Sequence, residues 1–190
     1  MTEQQLHIAL HSGRLFKDDV DQLVDKLILQ PNMVGPLLKE VLNEEKEGTY
    51  NASWTFRHLI EKKLDYLLPF FDDFTEILGN LTSESTIRAM ACVCEMVCVA
   101  YFKKKDPAFQ KNISDEQLER IMTACFDWLI SEMNMAPKVF SMTSLYYLGQ
   151  KFDWVHPELR QVLEDSYASG STGYQNRAKK TLDKLAQIGR

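Results

Sequence analysis

Apolar residues return every third or fourth position along almost all of this chain, and nowhere do they alternate with polar residues as a half-buried strand requires. This periodicity restricts the chain to helices packed through apolar stripes. Phe16, Val20, Leu23, Val24, Leu27 and Ile28 make one stripe, and Val34, Leu37, Leu38, Val41 and Leu42 the next. Phe56, Leu59, Ile60, Leu64, Leu67 and Leu68 predict a single helix over Ser53 to Leu68, and Pro69 its end. Ser85 to Phe102 is apolar on more than one side, the pattern of a helix at the centre of a core. Ser114 followed by Gln117 is a capping box, the clearest helix start in the chain, and Pro157 suits a first helical turn. The polar run Asn43 to Asn51, the stretch Lys103 to Ile113 and the small residues Ala168 to Gly173 read as loops. No Asn-Gly or Asp-Gly hairpin turn occurs, so the expected fold class is all-α with about ten helices.

Composition narrows the class further. With 190 residues, 45% hydrophobic and 26% charged, the chain can bury a full core without metal or disulfide staples. The N-terminus lacks a basic segment leading into a long apolar one, so it does not read as a secretory signal. Ala89 to Phe102 is interrupted by Glu95 and followed by Lys103, Lys104 and Lys105, too short and too broken to span a bilayer. Four cysteines without such a signal read as reduced thiols of a cytoplasmic protein, those of the central helix serving as small core residues. The net charge of -5 weighs against a dedicated nucleic-acid binder, which normally presents a concentrated basic face.

Ten helices in so short a chain raise the question of repetition. Four helix starts look alike: Ser53-Trp54-Thr55-Phe56-Arg57, Ser85-Thr86-Ile87-Arg88-Ala89, Ala136-Pro137-Lys138-Val139-Phe140 and Tyr174-Gln175-Asn176-Arg177-Ala178. Each follows an amphipathic helix and carries a basic residue near its start. They are separated by about 32 to 51 residues, a range that brackets HEAT and armadillo units. On these segments the chain resembles a divergent HEAT-like α-solenoid, and it is similar to small bacterial HEAT-like proteins whose relatives include the DNA-alkylation-repair solenoids. The resemblance covers Pro31 to the C-terminus. It implies a right-handed α-α superhelix, with residues 1–30 as N-terminal capping helices and residues 31–190 as about four stacked hairpins in a single domain. It also implies that the second helices line a concave wall, with Arg57, Arg88, Lys138 and Arg177 as a ladder and Trp54, Tyr146, Tyr147 and Tyr174 nearby. The same residues equally suit ion pairs between neighbouring hairpins and the filling of gaps between them.

Chemical motifs are few. His7 and His11 stand one helical turn apart, as two zinc ligands would, but Ile8, Ala9 and Leu10 intervene and no acidic third ligand is evident from sequence. Cys92, Cys94 and Cys98 match neither a zinc knuckle nor a redox pair. Phosphate-loop, dinucleotide and nucleophile-elbow motifs are absent. The fragment Ser131 to Phe140, SEMNMAPKVF, is faintly similar to the mobile serine loop of the fumarase and adenylosuccinate lyase superfamily, yet it lacks the serine pair and the terminal Asn. The expectation is therefore a non-enzymatic module without cofactor or metal, holding a protein or peptide on its concave face. A DNA-binding or DNA-repair-related protein is the alternative, and a lyase-type enzyme a remote one.

Overall fold

The computed structural model describes residues 1–43, 49–132 and 134–188. Residues 44–48, inside the segment expected as a loop, and Met133, inside the lyase-like fragment, lie outside the described residues. The fold is all-α: the described residues hold eleven α-helices and no strand. Two compact units divide the chain, Met1–Val93 and Cys94–Arg190.

In the first unit, α1 (Glu3–His11), α2 (Lys17–Ile28) and α3 (Val34–Leu42) all pack on α4 (Thr49–Lys62), which makes α4 the centre of this unit. Its inward face, Ala52, Phe56, Leu59 and Ile60, is fully buried. Phe56 stacks on Phe74 at 6.3 Å between ring centroids, and Phe71 meets Phe74 at 5.9 Å, so α5 (Phe71–Ile77) closes the core with aromatic rings. The helix start in this region differs from the sequence expectation. Helix α4 begins four residues earlier, at Thr49, and ends at Lys62, where Lys63 leaves the helical region with φ -141°. A 3-10 segment, Leu64–Phe70, follows in place of the last turns of the expected helix. Tyr66 donates its hydroxyl to the Ile28 carbonyl at 3.0 Å, tying this segment to the end of α2, and Pro69, which has no amide to give, sits within the tighter winding.

The early start of α4 moves Asn51 from a supposed loop into a helix facing the core. Its side-chain amide donates to the carbonyls of Leu10 and Gly13, at 2.8 Å each, and its carbonyl oxygen accepts the Leu15 amide at 3.1 Å. Gly13 has φ +125°, a conformation open only to glycine at low cost, and it turns the chain from α1 into α2. The N-terminus of α1 is a second capping box: Thr2 Oγ1 accepts the Gln5 amide at 3.2 Å and Gln5 Oε1 accepts the Thr2 amide at 2.9 Å. The Thr-x-x-Gln spacing that announces it is the same one read at Ser114, where both reciprocal bonds form as expected.

Helix α6 (Glu84–Cys98) runs through the division between the units, and a π-helical stretch, Val99–Lys103, continues it. Within the resulting run of 20 residues, an 18-residue window has a mean hydropathy of 1.4, so the continued helix, longer than the stretch Ala89 to Phe102 considered from sequence, is long and apolar enough to cross a bilayer by length and composition alone. Of that window 61% is buried, and Ile87, Met90, Ala91, Val93, Cys94, Val97 and Cys98 are closed to solvent. All four cysteines are buried free thiols, and burial pushes the Cys98 thiol well up, away from the reactive thiolate.

In the second unit, α7 (Pro107–Asn112) occupies part of the stretch expected as a loop, capped by the Asp106 side chain on the Ala108 amide at 2.9 Å. Helix α9 (Met135–Leu148) is the hub, contacted by α8 (Asp115–Ile130), α10 (Val155–Ser166) and α11 (Thr172–Ile188). Small residues bring these elements close: Ser141 and Ser144 are buried on α9, and a Cβ at Gly149 would collide with the His156 ring. That ring donates from Nε2 to the Tyr146 carbonyl at 2.9 Å, which holds the start of α10 against the end of α9. Chain reversal after the π stretch requires Lys105 at φ +52°, while the Asp106 amide reaches back to the Ala100 carbonyl at 2.9 Å.

Two stability outcomes follow. Asn51→Ala strands two carbonyls and one amide in a mostly buried corner and lowers the unfolding free energy by about 2–4 kcal/mol, read as a shift of the urea midpoint. Lys105→Gly removes the left-handed strain of a residue with a Cβ and raises stability by about 0.5–1 kcal/mol in the same measurement.

Candidate functional site

The eight residues expected on a concave wall separate into distinct surroundings. Trp54, Arg57 and Arg88 come together in the first unit around a hollow of about 460 Å³, together with Tyr50, Ser53, Glu84, Ser85 and Ala89. Helix α4 supplies one wall and the first turns of α6 the other. Because α4 starts at Thr49, Arg57 is in its third turn rather than its first, and it points across to the second turn of α6, where Arg88 stands.

Positions 50, 54 and 58 repeat every four residues, so their rings form one row on α4 beside the buried stripe. Tyr50 and Trp54 lie 5.9 Å apart, Trp54 and His58 5.8 Å in an edge-on arrangement, and Trp54 donates its indole N–H to His58 Nε2 at 2.6 Å. That bond requires His58 to accept, hence to be neutral at Nε2. Burial and the neighbouring Arg57 charge act in the same sense, holding His58 below the ordinary histidine range. Sequence reasoning had not singled out Tyr50 or His58; the four-residue spacing around Trp54 was the available signal.

The two guanidinium groups differ. Arg57 is half-buried, its nearest carboxylate is Glu61 at 3.7 Å, and its Nε is buried without a hydrogen-bond partner. Arg88 is exposed and makes no ion pair among the described residues. Glu84 also lines the hollow, so its charge is positive at two points and negative at one.

Four other expected residues line two smaller hollows of the second unit. Tyr146 and Arg177 share a space of about 270 Å³ between α9 and α11 with Lys180 and Lys184. Arg177 donates to the Thr143 hydroxyl at 3.2 Å, and Lys184 lies over the Tyr146 ring at 5.2 Å from its centroid. Lys138 and Tyr174 line a third hollow of about 330 Å³ with Met135 and Ser171. The Tyr174 ring is buried and its hydroxyl bonds Ser166, so it serves as a wall of the core. Tyr147 lines none of the three; it is half-buried against Tyr146, and burial pushes its phenol up.

The state of His58 sets a pH dependence. A histidine held low in the folded protein takes up protons more readily once unfolded, so its contribution to stability is complete above about pH 6.5 and is lost as the pH falls below that value. Urea midpoints between pH 8 and 5 should therefore fall on the acid side, with a change in tryptophan emission as the Trp54–His58 bond breaks. In His58→Gln the acid-side slope becomes shallower.

Searches against protein-family models, characterised proteins and solved structures return no match to this chain.

Proposed function

We propose that this chain is a non-enzymatic interaction module that holds an acidic, extended protein segment in the hollow between α4 and α6, and that its helices are divergent HEAT-like hairpins of a cytoplasmic protein. The observation that carries this reading is the state of the two arginines. A half-buried guanidinium with a long contact to Glu61 and an unpartnered Nε faces a second, exposed guanidinium across a hollow walled by Tyr50 and Trp54. Arginine presents a planar fork of donors suited to carboxylates, and aromatic walls add contact area at low cost in side-chain entropy. A volume of about 460 Å³ is of the size that takes one or two side chains of an extended segment. In a chain of net charge -5, such a local basic point selects an acidic ligand without making the whole surface attractive to polyanions.

The test uses fluorescence anisotropy with a panel of labelled Glu- and Asp-rich peptides, half of them bearing an aromatic residue, and a DNA duplex of unrelated sequence. Peptide binding that weakens roughly tenfold in Arg57→Glu and again in Arg88→Glu supports the reading. Failure of the whole panel, or salt-sensitive duplex binding that exceeds every peptide, overturns it, the latter in favour of the DNA-binding alternative.

A further inference from the structure

The histidine pair noted at the N-terminus acquires in the fold the third ligand that sequence could not supply. Leu6 and Leu10 bury one face of α1, and this turns His7 and His11, each the next residue along, to the flank that faces α3. On α3, Leu37, Leu38 and Val41 are buried and Glu40 emerges beside them at the same flank. Its carboxylate lies between the two rings: Oε1 accepts from His7 Nδ1 at 2.9 Å and Oε2 from His11 Nε2 at 3.0 Å. The ring centroids are 4.2 Å apart, and the three ligand atoms all lie within 4.8 Å of one another.

We propose that His7, His11 and Glu40 bind a divalent transition-metal ion of the zinc class, with solvent completing the coordination shell. Three arguments support the assignment. The first is distance. Zinc takes imidazole nitrogen and carboxylate oxygen at about 2.0–2.2 Å, which in a tetrahedron puts ligand atoms about 3.3–3.6 Å apart. The separations present, from 2.9 Å to within 4.8 Å, bracket that value, so rotations of the side chains suffice and no helix has to move.

The second argument is donor chemistry. Two imidazoles with one carboxylate favour zinc, copper, nickel and cobalt over calcium and magnesium, which require mostly oxygen ligands. On binding, a proton on each Glu40-facing nitrogen leaves to solvent or moves to the opposite ring nitrogen, so that each ring offers the metal a lone pair and carries its one proton on the opposite nitrogen. The third argument is access. The His7 side chain is 44% exposed, while those of His11 and Glu40 are each 18% exposed. Three protein ligands with one side open to water describe a site that exchanges its metal and keeps a free coordination position. The site lies apart from the arginine hollow and does not depend on it: no residue is shared.

The experiment is titration of the purified 190-residue chain with zinc chloride by calorimetry, and with cobalt chloride by visible absorption. One equivalent of zinc should bind with a rise of several degrees in the thermal midpoint, reversed by EDTA. Cobalt should develop the intense visible bands of a four-coordinate site with nitrogen ligands. His7→Ala, a change at a half-exposed position that leaves the buried stripe of α1 intact, should weaken zinc binding roughly 100-fold, and Glu40→Gln should do so to a similar extent. The proposal is overturned if the wild-type chain takes up no zinc in 1:1 ratio at 0.1 mM, an estimate of about the concentration at which a weak three-ligand site would still fill. It is equally overturned if His7→Ala binds as tightly as the wild type.

Discussion

Helix α1 has nine residues, too few to be stable as an isolated helix, and it is held in place by the side chain of one residue from α4. Asn51 accepts and donates three hydrogen bonds that together close the end of α1, the Gly13 turn and the approach to α2. The last carbonyls of a helix have no partners within it, and a buried helix end without a cap would leave them desolvated and unpaired. The Asn51 amide satisfies the Leu10 carbonyl and that of Gly13 just beyond the helix, while the Ser12 hydroxyl takes the Ala9 carbonyl at 3.2 Å, and these bonds fix the end of α1 against α4. Everything on the outward flank of α1 inherits that setting, including the meeting of His7 and His11 with Glu40.

Helix α4 therefore has two roles on two faces. Inward, Phe56 and its neighbours join the rings of Phe71 and Phe74 in a closed aromatic core. Outward, the row Tyr50, Trp54 and His58 stands half-exposed beside Arg57. The two faces are coupled because a core closed by large rings leaves the helix little freedom to rotate, which fixes where its outer row points. In the second unit, α9 plays the corresponding part with different means. Buried Ser141 and Ser144 and the absent side chain at Gly149 allow close approach, and the Tyr146 and His156 rings meet at 5.9 Å between α9 and α10.

The electrostatics of the chain are local. A net charge of -5 describes the whole surface, yet Arg57 and Arg88 flank one hollow, and Arg177, Lys180 and Lys184 gather along one face of α11. Within a Debye length of about 8 Å at physiological ionic strength, such groupings govern what a ligand meets, and the distant acidic residues are screened. Glu40 provides the opposite case. Burial alone would raise its carboxyl, but hydrogen bonds from His11 and His7, aided by their charge, outweigh this and hold it below the usual carboxylate range.

The all-α class, most of the helices and the capping box at Ser114 were legible in the residues, because helical periodicity and capping are local and depend on neighbours three or four positions away. The same locality made Cys92, Cys94 and Cys98 readable as core thiols. Local rules failed where tertiary contacts compete with them. The polar stretch ending at Asn51 reads as a loop until its amide is seen to close another helix, and the stripe through Leu68 reads as one helix until Tyr66 ties a 3-10 segment to Ile28. The arginine hollow was half visible, since Trp54, Arg57 and Arg88 were chosen for their charge and ring character, while Tyr50, His58 and the separation of the remaining five residues depended on packing. The sequence by itself determined which side chains could carry chemistry; only the tertiary structure decided which of them meet. Glu40 lies 29 residues from His11, and at that separation no periodicity informs: the meeting is set by how α1 docks on α3, through Leu6, Leu10 and the amide of Asn51.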